Sequence, residues 1–413
     1  VTLETLTDQL ASCPTARHVV GHWSDIVSRA GFVEADPLRW EESILDRGFT
    51  GSGGSFVAWR NMRGMVADGV RIVGAHTDSP GLHLKPRQGR RSAGQSLLDV
   101  EVYGGPLLSS WADRDLRVAG HAVLDTGEVR LFATDRPVAR ISLLAIHLDR
   151  EVNERGLVLD RHLHLSPMWG ADDVDFREWL AVQVGVTADS IASWSAELAD
   201  SQMPARIGRA GEYLAASRLD NQLSCWAAME ALIESDTDRP SLVIFFDHEE
   251  VGSSSATGAA GPLLDHVLER LCIAGGGNRG DFLDMLRRSH CVSADNSHAL
   301  HPNHPDRHHD LHAPILNAGV AVKTNANQRY ATDTESVGPI LDAFRVAGQE
   351  PQWFSSKNTI PCGSTIGPIT ATRLGIPTVD IGVPQLSMHS LREVCGTRDA
   401  VSLRGLLAAY LVR

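Results

Sequence analysis

The stretch SLVIFFDHEEVGS, residues 241–253, decides the architecture. Its first six residues, 241–246, are apolar apart from Ser241. They are too few for an ordinary helix and read as a strand buried on both faces. Two acids, Glu249 and Glu250, follow almost at once. Adjacent acids usually belong to a solvated loop, but these stand where a buried strand leaves the core.

The arrangement recurs along the chain. VRIVGA (70–75) ends at His76 and Asp78, CVSA (291–294) at Asp295, and TVDIG (378–382) a few residues before His389. Residues 221–235, 263–272 and 335–347 read as helices between these strands, the first of them with Asp220 at its start. Near the beginning, Pro14 suits a first helical position, and Val19, Val20, Trp23, Ile26 and Val27 recur with helical spacing. Alternating helices and strands make a layered α/β domain, a central mixed sheet flanked by helices. Ligands bind such sheets beyond the carboxyl ends of the strands. His76, Glu250, Asp295 and His389 therefore converge on one edge, with Asp220 placed to join them.

Between about residues 89 and 201 the texture changes. Residues 98–103, 117–124, 128–133 and 141–148 read as strands, and Asp125-Thr126-Gly127 as a hairpin turn. Strands without intervening helices predict an inserted β-rich domain at 89–201, with 1–88 and 202–413 forming the α/β domain around it.

Bulk properties narrow the function. A chain of 413 residues exceeds one ordinary core. Its hydrophobic share of 43% and charged share of 22% are those of a globular protein. A net charge of -13 disfavours nucleic acid and anionic membranes. No apolar run is long enough to span a bilayer, and residues 1–20 lack the basic and apolar regions of a signal peptide. The six cysteines form no C-x-x-C pair and read as reduced thiols of a cytoplasmic protein.

Taken singly, each polar candidate has a plain structural explanation. A His-x-Asp pair commonly sits on a surface, and Asp220 could simply cap its helix. Together, His76, His389, Asp220, Glu250 and Asp295 are the ligand set for two divalent ions, and imidazole with carboxylate donors favours zinc. The tract His301, His304, His308, His309 and His312 is rich in Pro, Asn and Asp. It reads as a loop without the fixed frame a metal needs. Ser253, Ser254 and Ser255 lack the Gly-x-Ser-x-Gly elbow of a nucleophile.

At these residues the chain resembles the aspartyl aminopeptidase family of dinuclear zinc metallopeptidases. The resemblance runs in family order through GAHTDSP (74–80), SSWADRDL (109–116), LLAIHLDREVN (143–153), SRLDNQ (217–222) and DHEEVGS (247–253). It continues through SADNSHALHPN (293–303), NQRYA (327–331), PCGSTIGPI (361–369) and QLSMHSLREV (385–394). It implies that Asp220 bridges two zinc ions per chain, with His76 and Asp295 completing one and Glu250 and His389 the other. Glu249 would be the general base and Asp78 would orient the His76 ring. Lys323 and Tyr330 would meet the substrate, Lys323 by recognising an acidic side chain. His147 would enter a neighbouring subunit's site. The insertion would be a dimerisation domain, and the assembly a dodecamer built from dimers.

The implied activity is hydrolysis of the N-terminal peptide bond of peptides, with Asp or Glu preferred at the N-terminus, by a zinc-activated water. Two alternatives stand beside it: a dinuclear zinc amidohydrolase of N-acyl amino acids, and an inactive assembly or cargo shell that keeps metal for stability. Glu249 argues against the shell, because a structural site has no use for a second acid beside its ligand. Lys323 follows an apolar stretch, so its ammonium should line an otherwise apolar pocket and lack compensation until a substrate carboxylate arrives.

Overall fold

The computed structural model describes residues 3–36 and 40–413. The chain forms two compact units: Val1–Asp78, Ala205–Met388 and Glu393–Arg413 in the first, and Ser79–Pro204 with His389–Arg392 in the second.

The first unit is built on a mixed sheet. Its centre is four parallel neighbours, in the order Ser241–Phe246, Arg71–His76, His290–Ala294, Thr378–Gly382. Antiparallel strands flank them, Ser55–Arg60 on one side and Ala321–Lys323 on the other. The register aligns Phe246 with His76, and Ala294 with Ile381. The carboxyl ends of the parallel strands therefore share one edge, as the apolar runs predict.

Alternation along these strands fills two helical layers. Val73, Ala75, Val243 and Phe245 face a core completed by Ala16–Arg29, Leu219–Glu234 and Thr397–Leu411. Ile72, Leu242, Ile244 and Phe246 face a second core with Leu263–Ala274 and Arg279–Arg288. Phe245 is fully buried. Phe245→Ala is expected to cost about 3–5 kcal/mol of stability in chemical denaturation; a cost below about 1 kcal/mol would mean that the sheet closes over the cavity.

Two helix starts differ from the sequence reading. Pro14 lies before its helix, which begins at Ala16 because the Thr15 side chain accepts the His18 N–H. Val19, Trp23 and Val27 still face the core. The helix expected at 335–347 is Gly338–Val346. Asp333 accepts the N–H groups of Glu335 and Ser336 first and holds them in a turn.

The second unit has an antiparallel sheet. Asp115–Leu124 pairs with Ile191–Asp200 on one edge and with Val129–Ala133 on the other, the latter across the turn at Asp125 to Gly127. Gly81–Leu84 joins this sheet through Val100–Tyr103 and Ile191–Asp200. Leu82, Trp111, Leu116, Val118, Phe176 and Leu198 belong to its core.

Residues 141–148 are not the strand their composition predicts. Ala139–Arg140 pairs with Asp115–Leu124 and Ile141 bridges to Ala112, after which the chain turns. Both edges of Asp115–Leu124 are already taken, so the apolar segment finds no ladder there. Leu144, Ile146 and Leu148 are left 67%, 47% and 73% exposed. Among the described residues, no helix is long and apolar enough to cross a membrane. The six cysteines are free thiols, five of them buried and Cys362 partly exposed.

Candidate functional site

His76 ends its strand and is 1% exposed. Its Nδ1 lies 3.0 Å from the Asp78 carbonyl oxygen. A carbonyl only accepts, so Nδ1 carries the proton and Nε2 faces the acids. Nε2 is 3.4 Å from Asp220 Oδ1, 3.6 Å from Asp295 Oδ1 and 3.9 Å from Glu249 Oε2. One ligand atom from each of His76, Asp220 and Glu250 lies within 4.8 Å of the other two.

Asp78 does more than face the ring. Its Oδ1 accepts the Glu249 N–H at 3.0 Å and its Oδ2 the Glu250 N–H at 3.1 Å. One carboxylate thus pins the turn Glu249–Val251 that carries both acids to the strand that carries His76. Asp220 leaves the helical conformation at the start of Leu219–Glu234, with φ −83° and ψ 106°. Asn221 Nδ2 then donates to the Ala294 carbonyl, beside Asp295.

Crowding of acids in a buried site shifts their protonation. Burial, then the charges of Asp295, Asp78 and Asp220 against an opposing His76, pushes Glu249 up to about 8. Burial and then Asp220 hold Glu250 well above the carboxylate range. Burial would lower His76, but hydrogen bonds to Asp220, Asp295 and Asp78 outweigh it and the ring is held well above its usual value. Burial would raise Asp295, but Lys323 and His76 keep it well below the usual range. Imidazole and carboxylate oxygens at this spacing suit a divalent cation, which would draw these acids back to their charged forms.

Lys323 departs from the expected pocket. It is 1% exposed, yet its ammonium is compensated: Nζ donates to Asp295 Oδ2 at 3.4 Å and to the Asn296 carbonyl at 3.3 Å. It also stands 4.9 Å from the centre of the Tyr330 ring. Tyr330 packs on Ala321 and Phe354, and burial pushes its phenol up. The two remaining candidates fall in the second unit. His389 has φ 66°, and its Nδ1 lies 3.1 Å from the Gly105 carbonyl. His147 sits exposed in the turn after residue 145. The histidine tract forms loops around the short turn Pro305–Arg307.

Sequence reasoning missed Glu393, which accepts the Asp220 N–H, and Gln385 and Asn296, which connect to it. Their positions beside His389 and Asp295 were the available signal.

Residues 9–411 match the sequence model of the aminopeptidase I zinc metalloprotease family, M18. The chain is 43% identical to a probable M18 family aminopeptidase 2 of Streptomyces coelicolor, covering 97% of this chain and 95% of that one. Its fold resembles the cryo-EM structure of the Ape4 and Nbr1 complex, with 31% identity, a TM-score of 0.94, and 99% and 85% of the two chains covered. It also resembles the mApe1 dodecamer of S. cerevisiae, with 27% identity, a TM-score of 0.83, and 98% and 95% covered.

Proposed function

Because the chain belongs to the aminopeptidase I zinc metalloprotease family, M18, we propose that it removes acidic residues from peptide N-termini at a site holding two zinc ions. Zinc aminopeptidase activity follows from the membership itself; the acidic preference, the second ion and the roles below are our reading. The observation that carries it is the meeting of His76, Asp220 and Glu250 within 4.8 Å, with Glu249 beside them.

Asp220 would be a ligand common to both ions, with His76 and Asp295 holding one and Glu250 and His389 the other. Zinc bound there would supply Lewis acidity, making water nucleophilic near neutral pH and polarising a peptide carbonyl. Glu249 takes a proton from the attacking water and returns one to the leaving amine. Asp78 fixes the His76 ring and, through the amides of Glu249 and Glu250, the aim of both acids.

Lys323 has three donors, and two meet Asp295 and Asn296. The third serves a substrate carboxylate beside Tyr330. The dodecamer of the yeast relative supports a homo-oligomer; we read it as built from dimers through the second unit, whose exposed apolar turn carrying His147 suits burial against a neighbouring copy. His147 then completes that copy's site. The free thiols suit a cytoplasmic protein.

Kinetics on peptides beginning with Asp, Glu, Ala or Leu test the reading. The protein should cleave the acidic pair fastest. A charged hydrogen bond contributes roughly 1.5–3 kcal/mol, so Lys323→Met should lower kcat/KM for that pair by about one to two powers of ten more than for the neutral pair. Equal losses on all four would show that Lys323 acts through Asp295 alone, and equal wild-type rates would remove the acidic preference.

A further inference from the structure

We propose that Glu393 is a positioning residue that sets the Asp220 carboxylate at the metal site, an inference that rests on Asp220 being a metal ligand. Glu393 opens the strand Glu393–Gly396 and is 2% exposed. Its Oε2 accepts the Asp220 backbone N–H at 2.9 Å, and its Oε1 lies 3.4 Å from Gln385 Nε2. Gln385 Oε1 accepts from Asn296 Nδ2 at 3.1 Å, and that nitrogen also donates to the Leu219 carbonyl at 2.9 Å. A buried network therefore runs from the amide of Asp220 to the residue that follows Asp295.

The backbone explains why an anchor is needed. The first N–H groups of a helix have no carbonyl one turn back. Asp220 is the second residue of Leu219–Glu234, and its ψ of 106° lies outside the helical range. Glu393 supplies the outside acceptor that fixes this amide. Capping by itself needs only a hydroxyl or amide oxygen. A buried carboxylate is more costly to desolvate but makes a stronger bond to the amide. Its link through Gln385 to Asn296 ties that bond to the neighbour of the second acid. Asp220 Oδ1 and Asp295 Oδ1 stand 3.4 Å and 3.6 Å from the same His76 nitrogen, and the network holds that spacing from behind.

The test is zinc affinity by chelator competition, with melting curves recorded with and without zinc, on Glu393→Ala, Glu393→Gln and Asp220→Asn. Partners of this kind are worth about 10–100-fold in metal affinity. Glu393→Ala and Asp220→Asn should each weaken zinc binding by about tenfold or more. Glu393→Gln should recover part of the loss, because its amide oxygen still accepts the Asp220 N–H. The Tm gain on adding zinc should shrink in Glu393→Ala. Wild-type zinc affinity in Glu393→Ala, alongside a weakened Asp220→Asn, would overturn the proposal and leave the ligand set intact. So would an equal loss of Tm with and without zinc, which marks a helix cap and nothing more. Unchanged zinc binding in Asp220→Asn would overturn the ligand assignment itself. If Glu393→Ala does not fold, Gln385→Met cuts the next link and is judged by the same affinity criterion.

Discussion

Glu249→Gln is expected to keep its zinc and lower kcat by about 10²–10⁴-fold. The substitution preserves size and leaves the backbone N–H in place for Asp78. It removes only the ability to take a proton. Glu250→Gln, one residue further, should behave differently. Its side chain stands among the ligand atoms near His76 and Asp220, so its loss should appear first in metal content. Elemental analysis beside steady-state kinetics separates the two. If both variants hold wild-type zinc and wild-type turnover, the division of roles between these adjacent acids is wrong.

Removing the metal with a chelator should abolish hydrolysis and lower the Tm, and added zinc should restore both. The thermal effect should grow with pH. In the metal-free protein, burial raises Glu249 from 4.5 to about 8 and holds Glu250 above its usual value too. The folded state then keeps protons that the unfolded chain releases, so stability is lost as pH rises between these values. His76 acts in the same sense: its pKa is raised, so its contribution is full below 6.5 and is lost as pH climbs through the higher folded value. Asp295 is depressed, and its contribution is lost only in acid. The metal-free Tm should therefore fall from about pH 5 to about pH 8. Zinc binds the deprotonated groups and tightens over the same range. Differential scanning across that range should show the gap between loaded and metal-free protein widening. A gap that stays constant or narrows would count against a cation among these acids.

Local sequence carried much of the first unit. Val70 to Ala75 and Leu242 to Phe246 are apolar enough that both faces must be covered, which makes them central strands, and the polar residues that follow must emerge at their ends. That constraint is short-range, so His76, Asp78, Glu249, Glu250 and Asp295 could be read as edge residues from their neighbours alone. The same rule failed at residues 141–148, because a strand also needs a free ladder. Asp115–Leu124 had none to offer, and no property of the segment itself reports that.

Local composition sets which strands are buried, where they end and that His76, Glu249, Glu250 and Asp295 follow those ends. Tertiary structure decided how those groups are compensated. Lys323 reads as an isolated charge after an apolar run, yet its ammonium lies against Asp295, 28 residues away. Asp78 reads as the companion of His76, yet both its oxygens hold amides beyond position 248. Glu393 carries no local mark of its bond to Asp220, 173 residues earlier. Burial is written into the run of side chains that must leave water. The partner of a buried charge is whatever group the fold brings within about 3 Å, and chain separation places no limit on that choice.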